Sequence, residues 1–319
     1  MDTIQSSQDR HGRKAFGNWK LWVMELRAPF LTASIIPVIL GTLIAAHSED
    51  TFDAFYFTLT LLAMILLHSG TNVMNDYYDF IDGVDKTGVE PTPFSGGSGL
   101  LANGSLSPRS VLHYSLSLLF VGTMIGLFLT YQRGWIILGF GIMGLISGVF
   151  YSASPIKLAS RGVGELFVGL NFGPLVVLGC YYVQTQSFAL EPVIASLPIG
   201  FLIAAVLYIN EYPDYNADKQ SGKANILVRL GKEKGVMVYF TLMAATYVSI
   251  IISAGLGFIP PIAIISLATL PLALKAMKLV RTNYDDTEKL LPANGLTIMI
   301  HLVTGILLCI AYIIGHVIL

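Results

Sequence analysis

The chain has 319 residues, of which 54% are hydrophobic and only 12% charged, about half the charge of a soluble domain. Its mean hydropathy is +0.68, and its apolar runs are long enough to cross a bilayer, which excludes a soluble globular class. The formal net charge is −1 and no basic cluster points to nucleic acid; nothing in the pattern points to an obligate protein partner. Cys180 and Cys309 lie in separate apolar runs and read as small membrane-buried side chains, silent on redox compartment.

Taken in order, the chain opens with a polar stretch of about 25 residues before a first apolar run of span length, a pattern unlike a cleavable signal peptide. The hydrophobic pattern predicts nine spans: 28–46, 55–79, 110–130, 134–152, 164–183, 192–212, 236–256, 259–279 and 293–316. This is the expectation of a single polytopic membrane domain over 1–319, with 1–27 as an N-terminal segment. Of the 19 Lys and Arg residues, all but Arg133 fall on one side of that arrangement. The positive-inside rule makes that side cytoplasmic, with the N-terminus inside, the C-terminus outside and the cell membrane as the location. The connection from Lys86 to Ser107 is long and rich in Gly, Pro and Ser. It lacks the Gly-Lys-Ser/Thr of a nucleotide P-loop and reads either as a linker or as a partly ordered lid.

The second span ends in Asn72-Val-Met-Asn75-Asp76-Tyr77-Tyr78-Asp79-Phe80-Ile81-Asp82-Gly83-Val84-Asp85. The sixth ends in Asn210-Glu211-Tyr212-Pro213-Asp214-Tyr215-Asn216-Ala217-Asp218. On helices, Asn75, Asp79 and Asp82 share one face, as do Asn210, Asp214 and Asp218. Carboxylates at membrane depth are costly and so point to function. Two such faces together suit Mg²⁺, a hard cation usually bound jointly by carboxylates and substrate phosphates. Lys and Arg can take the remaining phosphate charge. The constellation therefore fits a substrate with a diphosphate head and a long isoprenoid tail lying in an apolar cavity. Loss of pyrophosphate leaves an allylic cation, for which Tyr77, Tyr78, Tyr151, Tyr212 and Tyr215 offer π faces. Repeated acidic motifs also suit a cation-coupled transporter. Against that, these motifs lie at helix ends and keep basic company.

The pair Asn75-Asp76-Tyr77-Tyr78-Asp79 with Gly83-Val84-Asp85, and Asn210-x3-Asp214-x3-Asp218-Lys219-x2-Gly222-Lys223, resembles the two Asp-rich motifs of the UbiA superfamily of intramembrane prenyltransferases. Arg27-x3-Leu31-x2-Ser34-x2-Pro37-Val38-x2-Gly41, Gly164-Glu165-Leu166-Phe167-Val168 and Phe172-Gly173-Pro174 are similar to the 1,4-dihydroxy-2-naphthoate polyprenyltransferase branch. The resemblance implies an all-α fold of nine transmembrane helices around a lipid-open central cavity. It also implies Mg²⁺-dependent transfer of a polyprenyl group from its diphosphate to an aromatic quinone precursor, with other phenolic or phenazine acceptors as the alternative. It implies metal and diphosphate roles for Asn75, Asp79, Asp85, Asn210, Asp214 and Asp218. Arg27, Lys157, Lys223 and Arg161 become the cationic candidates.

Some residues keep two readings. Asp76 and Glu211 are site residues or merely solvated helix-end charges. Asp82 shares the face, yet the family pattern relies on Asp85. Lys157 and Arg161 contact phosphate or simply obey the charge rule. Asn171 touches the acceptor or bonds another helix, and Pro213 kinks or ends its helix. Finally, His68, Asn72, Asn75 and Asp79 form one stripe descending into the membrane. There His68 is a general base for the acceptor hydroxyl or an interhelical hydrogen bond.

Overall fold

The computed structural model describes residues 19–84, 92, 94 and 97–318, and these are helical wherever they are regular. The helices are α1 (Trp19–Glu25), α2 (Thr32–Glu49), α3 (Ala54–Ile81), α4 (Pro108–Arg133), α5 (Ile136–Ser152), α6 (Gly164–Leu170) and α7 (Val176–Thr185). They continue with α8 (Leu190–Ser221), α9 (Ile226–Leu230), α10 (Lys232–Gly255), α11 (Leu270–Asn283) and α12 (Thr287–Ile318). A π turn, Asn171–Leu175, joins α6 to α7, and a 3₁₀ stretch, Pro261–Thr269, leads into α11. Among the described residues eight helical segments are long and apolar enough to cross a membrane. The expected fourth span is α5, apolar but only 17 residues and so about 25 Å long.

Local chemistry sets the helix ends. Asp53 caps α3 by accepting from the Phe55 and Tyr56 amides, and Ser107 caps α4 ahead of Pro108. Gly222, at φ +80°, closes α8, where a left-handed residue suits glycine. Arg133, the one basic residue that the charge pattern assigns to the other side, donates to the Val183 and Gln184 carbonyls at the end of α7. Its place is set by carbonyls that need a donor rather than by topology.

Two helices overrun the expected spans. The sixth continues as α8 to Ser221, straight through Pro213, and the ninth begins at Thr287 rather than 293. Pro213 therefore neither breaks nor ends its helix. The carbonyl it leaves unpaired, that of Ile209, accepts instead from Asn294 Nδ2 of α12 at 3.0 Å. Packing concentrates on α8. One side buries Ile199 with Leu40, Ile44, Tyr181 and Leu308; the other buries Tyr208 and Tyr212 with Tyr239, Met243 and Ile300. Gly200 of α8 meets the π turn so closely that a Cβ on Gly173 would stand 2.9 Å from the Gly200 Cα. Opposite that solid half, α3, α4, α5 and α7 enclose a cavity.

Candidate active site

The cavity has a volume of about 490 Å³ and two chemically different ends. Its polar end carries Asn75 and Asp79 from α3, Tyr151 from α5, and Asn210, Asp214 and Asp218 from α8. The rest is walled by such side chains as Met64, Leu67, Leu119, Leu145 and Val176. The motifs of α3 and α8 thus face one space, although 135 positions separate Asn75 from Asn210 in the chain.

Lys223, just past the end of α8, stands 3.8 Å from Asp79 Oδ1 and 3.5 Å from Asp218 Oδ1. Burial alone would pull its ammonium down, but the Asp79 and Asp218 carboxylates outweigh burial and hold it well above the usual lysine range. Asp218 is almost fully buried, and its other oxygen, Oδ2, accepts from Asn225 Nδ2 at 2.8 Å. Asn225 in turn caps α9 through the Val228 amide, so a short helix anchors the last carboxylate of the motif. Asn75 Nδ2 donates to Ser152 Oγ at 2.9 Å, and Asn75 lines the cavity. Asn210 Oδ1 accepts from Asn294 Nδ2 at 2.9 Å.

Several expected roles fall elsewhere. Asp76 is buried rather than solvated: its carboxylate accepts from the Ser98 amide at 2.7 Å and pairs with Arg27 at 3.4 Å. Ser98 Oγ also donates to Glu25 Oε2 at 2.6 Å, so acids of α1 and α3 clamp the start of the 97–107 segment. Leu100, Leu101 and Leu106 pack with Trp22 and Val73, and Phe94 and Gly97 border the cavity, so the described part of this connection is an ordered cover. Arg27 lines the cavity while spending its charge on Asp76. Glu211 is buried and also lines the cavity. Asp82 pairs with Lys157 at 2.6 Å beside a side cleft of about 220 Å³ that adjoins Asp79 and Lys223. Arg161 is exposed, with its guanidinium on the Ile156 and Pro155 carbonyls and away from the cavity. Asp85 lies outside the described residues.

The tyrosines disperse. Tyr151 lines the cavity, whereas Tyr212 donates to the Lys232 carbonyl and Tyr215 lies under Lys219 and Lys232. Tyr77 and Tyr78 stack edge to face on each other. Asn171 Nδ2 donates to Ser147 Oγ at 2.7 Å at the cavity wall, beside Phe172. His68 lines the cavity with Nδ1 2.7 Å from Ser34 Oγ.

Residues 34–301 match the model of the UbiA prenyltransferase family. The chain belongs to that family. Among its relatives are the 1,4-dihydroxy-2-naphthoate octaprenyltransferases of Mycobacterium tuberculosis (strain ATCC 25618 / H37Rv) and Bacillus subtilis (strain 168). The first is 30% identical over 269 residues, covering 84% of this chain and 88% of the relative. The second is 26% identical over 258 residues, covering 81% of each. A solved UbiA homolog from Archaeoglobus fulgidus bound to GPP and Mg²⁺ shares the fold, with a TM-score of 0.63 at 18% identity over 91% of this chain and 99% of that one. The protein is therefore an integral-membrane prenyltransferase of the UbiA family, and the transporter reading is set aside.

The donor set fits a divalent cation. Asp79, Asp214 and Asp218 offer carboxylate oxygens and Asn75 and Asn210 amide oxygens, all hard ligands. Asp218 Oδ1 is buried and held by the Lys223 ammonium at 3.5 Å, without a well-formed hydrogen bond among the described residues. No three His, Cys, Asp or Glu side chains among the described residues converge into a complete metal cage. Substrate phosphate oxygens would have to finish the coordination shell, as is usual for Mg²⁺.

Proposed function

We propose that this UbiA prenyltransferase transfers a polyprenyl group from its diphosphate to 1,4-dihydroxy-2-naphthoate, in a Mg²⁺-dependent reaction of menaquinone-type biosynthesis. The observation that carries the reading is a cavity whose polar end gathers both acidic motifs and Lys223, continuous with an apolar channel. The naphthoate octaprenyltransferase relatives support the choice of acceptor. The distribution of Lys and Arg supports a cytoplasmic N-terminus and polar end, in the cell membrane.

Asp79, Asp214 and Asp218, with Asn75 and Asn210, would hold Mg²⁺, and Asp85 joins them by resemblance. When bound, the metal neutralises charge on the diphosphate and its leaving group. Lys223, already cationic between two carboxylates, draws the diphosphate into the same corner. Arg27 sits at the cavity rim, and Lys157 guards the side cleft through which a phosphate reaches Lys223. Arg161 has no such position and contributes through its loop. The apolar channel takes the tail and keeps water from the allylic carbon. Tyr151 and Phe172 line the same space, where an allylic cation would gain from an aromatic face. The C–O bond breaks with its electron pair leaving on the diphosphate. A ring carbon supplies the new pair, and the ring regains aromaticity by releasing CO₂ or a proton. Asn171, beside Phe172, offers its amide to the acceptor.

The test is product identification by liquid chromatography and mass spectrometry with an unbiased mixture of aromatic acceptors. The proposal expects a prenylated naphthol that has lost its carboxyl group. A prenylated phenol or phenazine in its place would transfer the same chemistry to another acceptor and overturn the naphthoate assignment.

A further inference from the structure

His68 is held at one nitrogen and one ring face and left open at the other nitrogen. Nδ1 lies 2.7 Å from the hydroxyl of Ser34, a fully buried residue of α2. The ring leans on Phe172 of the π turn, with centroids 4.7 Å apart and planes at 51°. Among the described residues Nε2 has no hydrogen bond, although His68 lines the cavity among Ala33, Met64, Leu67 and Phe172. Seven residues of α3 separate it from Asn75, so the imidazole stands about 10 Å below the diphosphate end. A polar nitrogen at that depth needs a partner, and none of the described residues hydrogen-bonds it. The Ser34 contact also has a chemical consequence. When Nδ1 carries the proton and donates it to Ser34 Oγ, the lone pair of Nε2 faces the cavity.

We infer that His68 Nε2 receives the ring hydroxyl of the aromatic acceptor and takes its proton as the ring carbon attacks, with Ser34 as a positioning residue. The inference rests on the aromatic-acceptor reading above and adds the contact that reading lacks. The step balances. The O–H pair becomes the C=O π bond, the ring's electrons form the new bond to the allylic carbon, and the allylic C–O pair leaves on the diphosphate. Loss of CO₂ from the same ring carbon returns a pair to the ring, and the oxygen recovers its proton from the imidazolium. Phe172 leans on the imidazole and lines the same cavity, so the contact that holds the base also sets an aromatic side chain beside it.

Two measurements on the full chain in detergent test this. In turnover, His68→Gln keeps a donor and an acceptor but cannot take a proton, and kcat should fall at least about tenfold with prenyl diphosphate affinity unchanged. Retention of kcat within about twofold would overturn the inference. In binding, which needs no turnover, 1-hydroxy-2-naphthoate is compared with its 1-methoxy analogue. His68→Phe should weaken the hydroxy compound at least about fivefold and leave the methoxy compound within about twofold. Ser34→Ala should narrow the difference between the two ligands without abolishing binding. Equal weakening of both by His68→Phe would overturn the contact. A chain that binds the hydroxy compound through His68 yet prenylates no aromatic would contradict the proposed function and leave the His68 contact standing.

Discussion

Asn294 of α12 donates its side-chain amide to Asn210 Oδ1 of α8 at 2.9 Å, and to the neighbouring Ile209 carbonyl at 3.0 Å. One fully buried amide thus repairs the hydrogen bond that Pro213 removes and orients the first residue of the second motif. The last helix, far from the acidic motifs in sequence, is part of the site's support.

Asn294→Ala leaves both acceptors unpaired in a buried setting, a cost of about 1–3 kcal/mol. The expected outcome is a lower melting temperature together with at least a several-fold loss of turnover. Differential scanning fluorimetry and the prenyl-transfer assay check the two parts. Unchanged turnover at a lowered melting temperature would confine Asn294 to stability.

Asp79→Asn and Asp214→Asn should each leave less than about a tenth of the wild-type rate at saturating Mg²⁺, a loss above ~1.4 kcal/mol of barrier. An amide is a poorer partner for Mg²⁺ than a carboxylate. Helicity by circular dichroism should be unchanged. EDTA should stop the wild type, and added Mg²⁺ should restore it.

Lys223 is expected to matter at every pH used for assay. Its pKa is raised in the folded protein, so its stabilising contribution is complete below the unfolded value of about 10.4. That contribution is lost only as pH rises through the still higher folded value. Lys223→Met should therefore lower the rate by a similar factor at pH 6.5 and pH 8.5. A loss confined to the alkaline arm would contradict the ion-pair geometry with Asp79 and Asp218.

Topology is open to direct labelling, because the native Cys180 and Cys309 are buried. Cysteine at the exposed Asn103 should react with an impermeant maleimide only from the cytoplasmic side, and cysteine at the exposed Asp50 only from the other. Reaction of both from one side would overturn the orientation drawn from the basic residues.

Much of the fold was legible because the bilayer imposes it: span-length apolar runs and one-sided Lys and Arg need no tertiary knowledge. What escaped was non-local. Pro213 reads as a breaker until its orphaned carbonyl is seen to accept from Asn294, 81 positions beyond it. Asp76 keeps two readings in the sequence because its partners, Arg27 and the Ser98 amide, lie 49 and 22 residues away. Tyr212 and Tyr215 neighbour Asn210 and Asp214 in sequence, but helical periodicity turns them out of the cavity, which Tyr151 of α5 lines instead. Asn225 did carry a signal, as a helix cap before Ile226-Leu227-Val228, but nothing local joins it to Asp218.

The central claim is that one cavity couples diphosphate departure to carbon–carbon bond formation on an aromatic ring. The most direct measurement is the stoichiometry of pyrophosphate to prenylated product for the purified protein with polyprenyl diphosphate, dihydroxynaphthoate and Mg²⁺. The account predicts one pyrophosphate for each prenylated, decarboxylated ring, with neither formed when the acceptor or Mg²⁺ is withheld. Pyrophosphate release at an undiminished rate without any aromatic acceptor would contradict it.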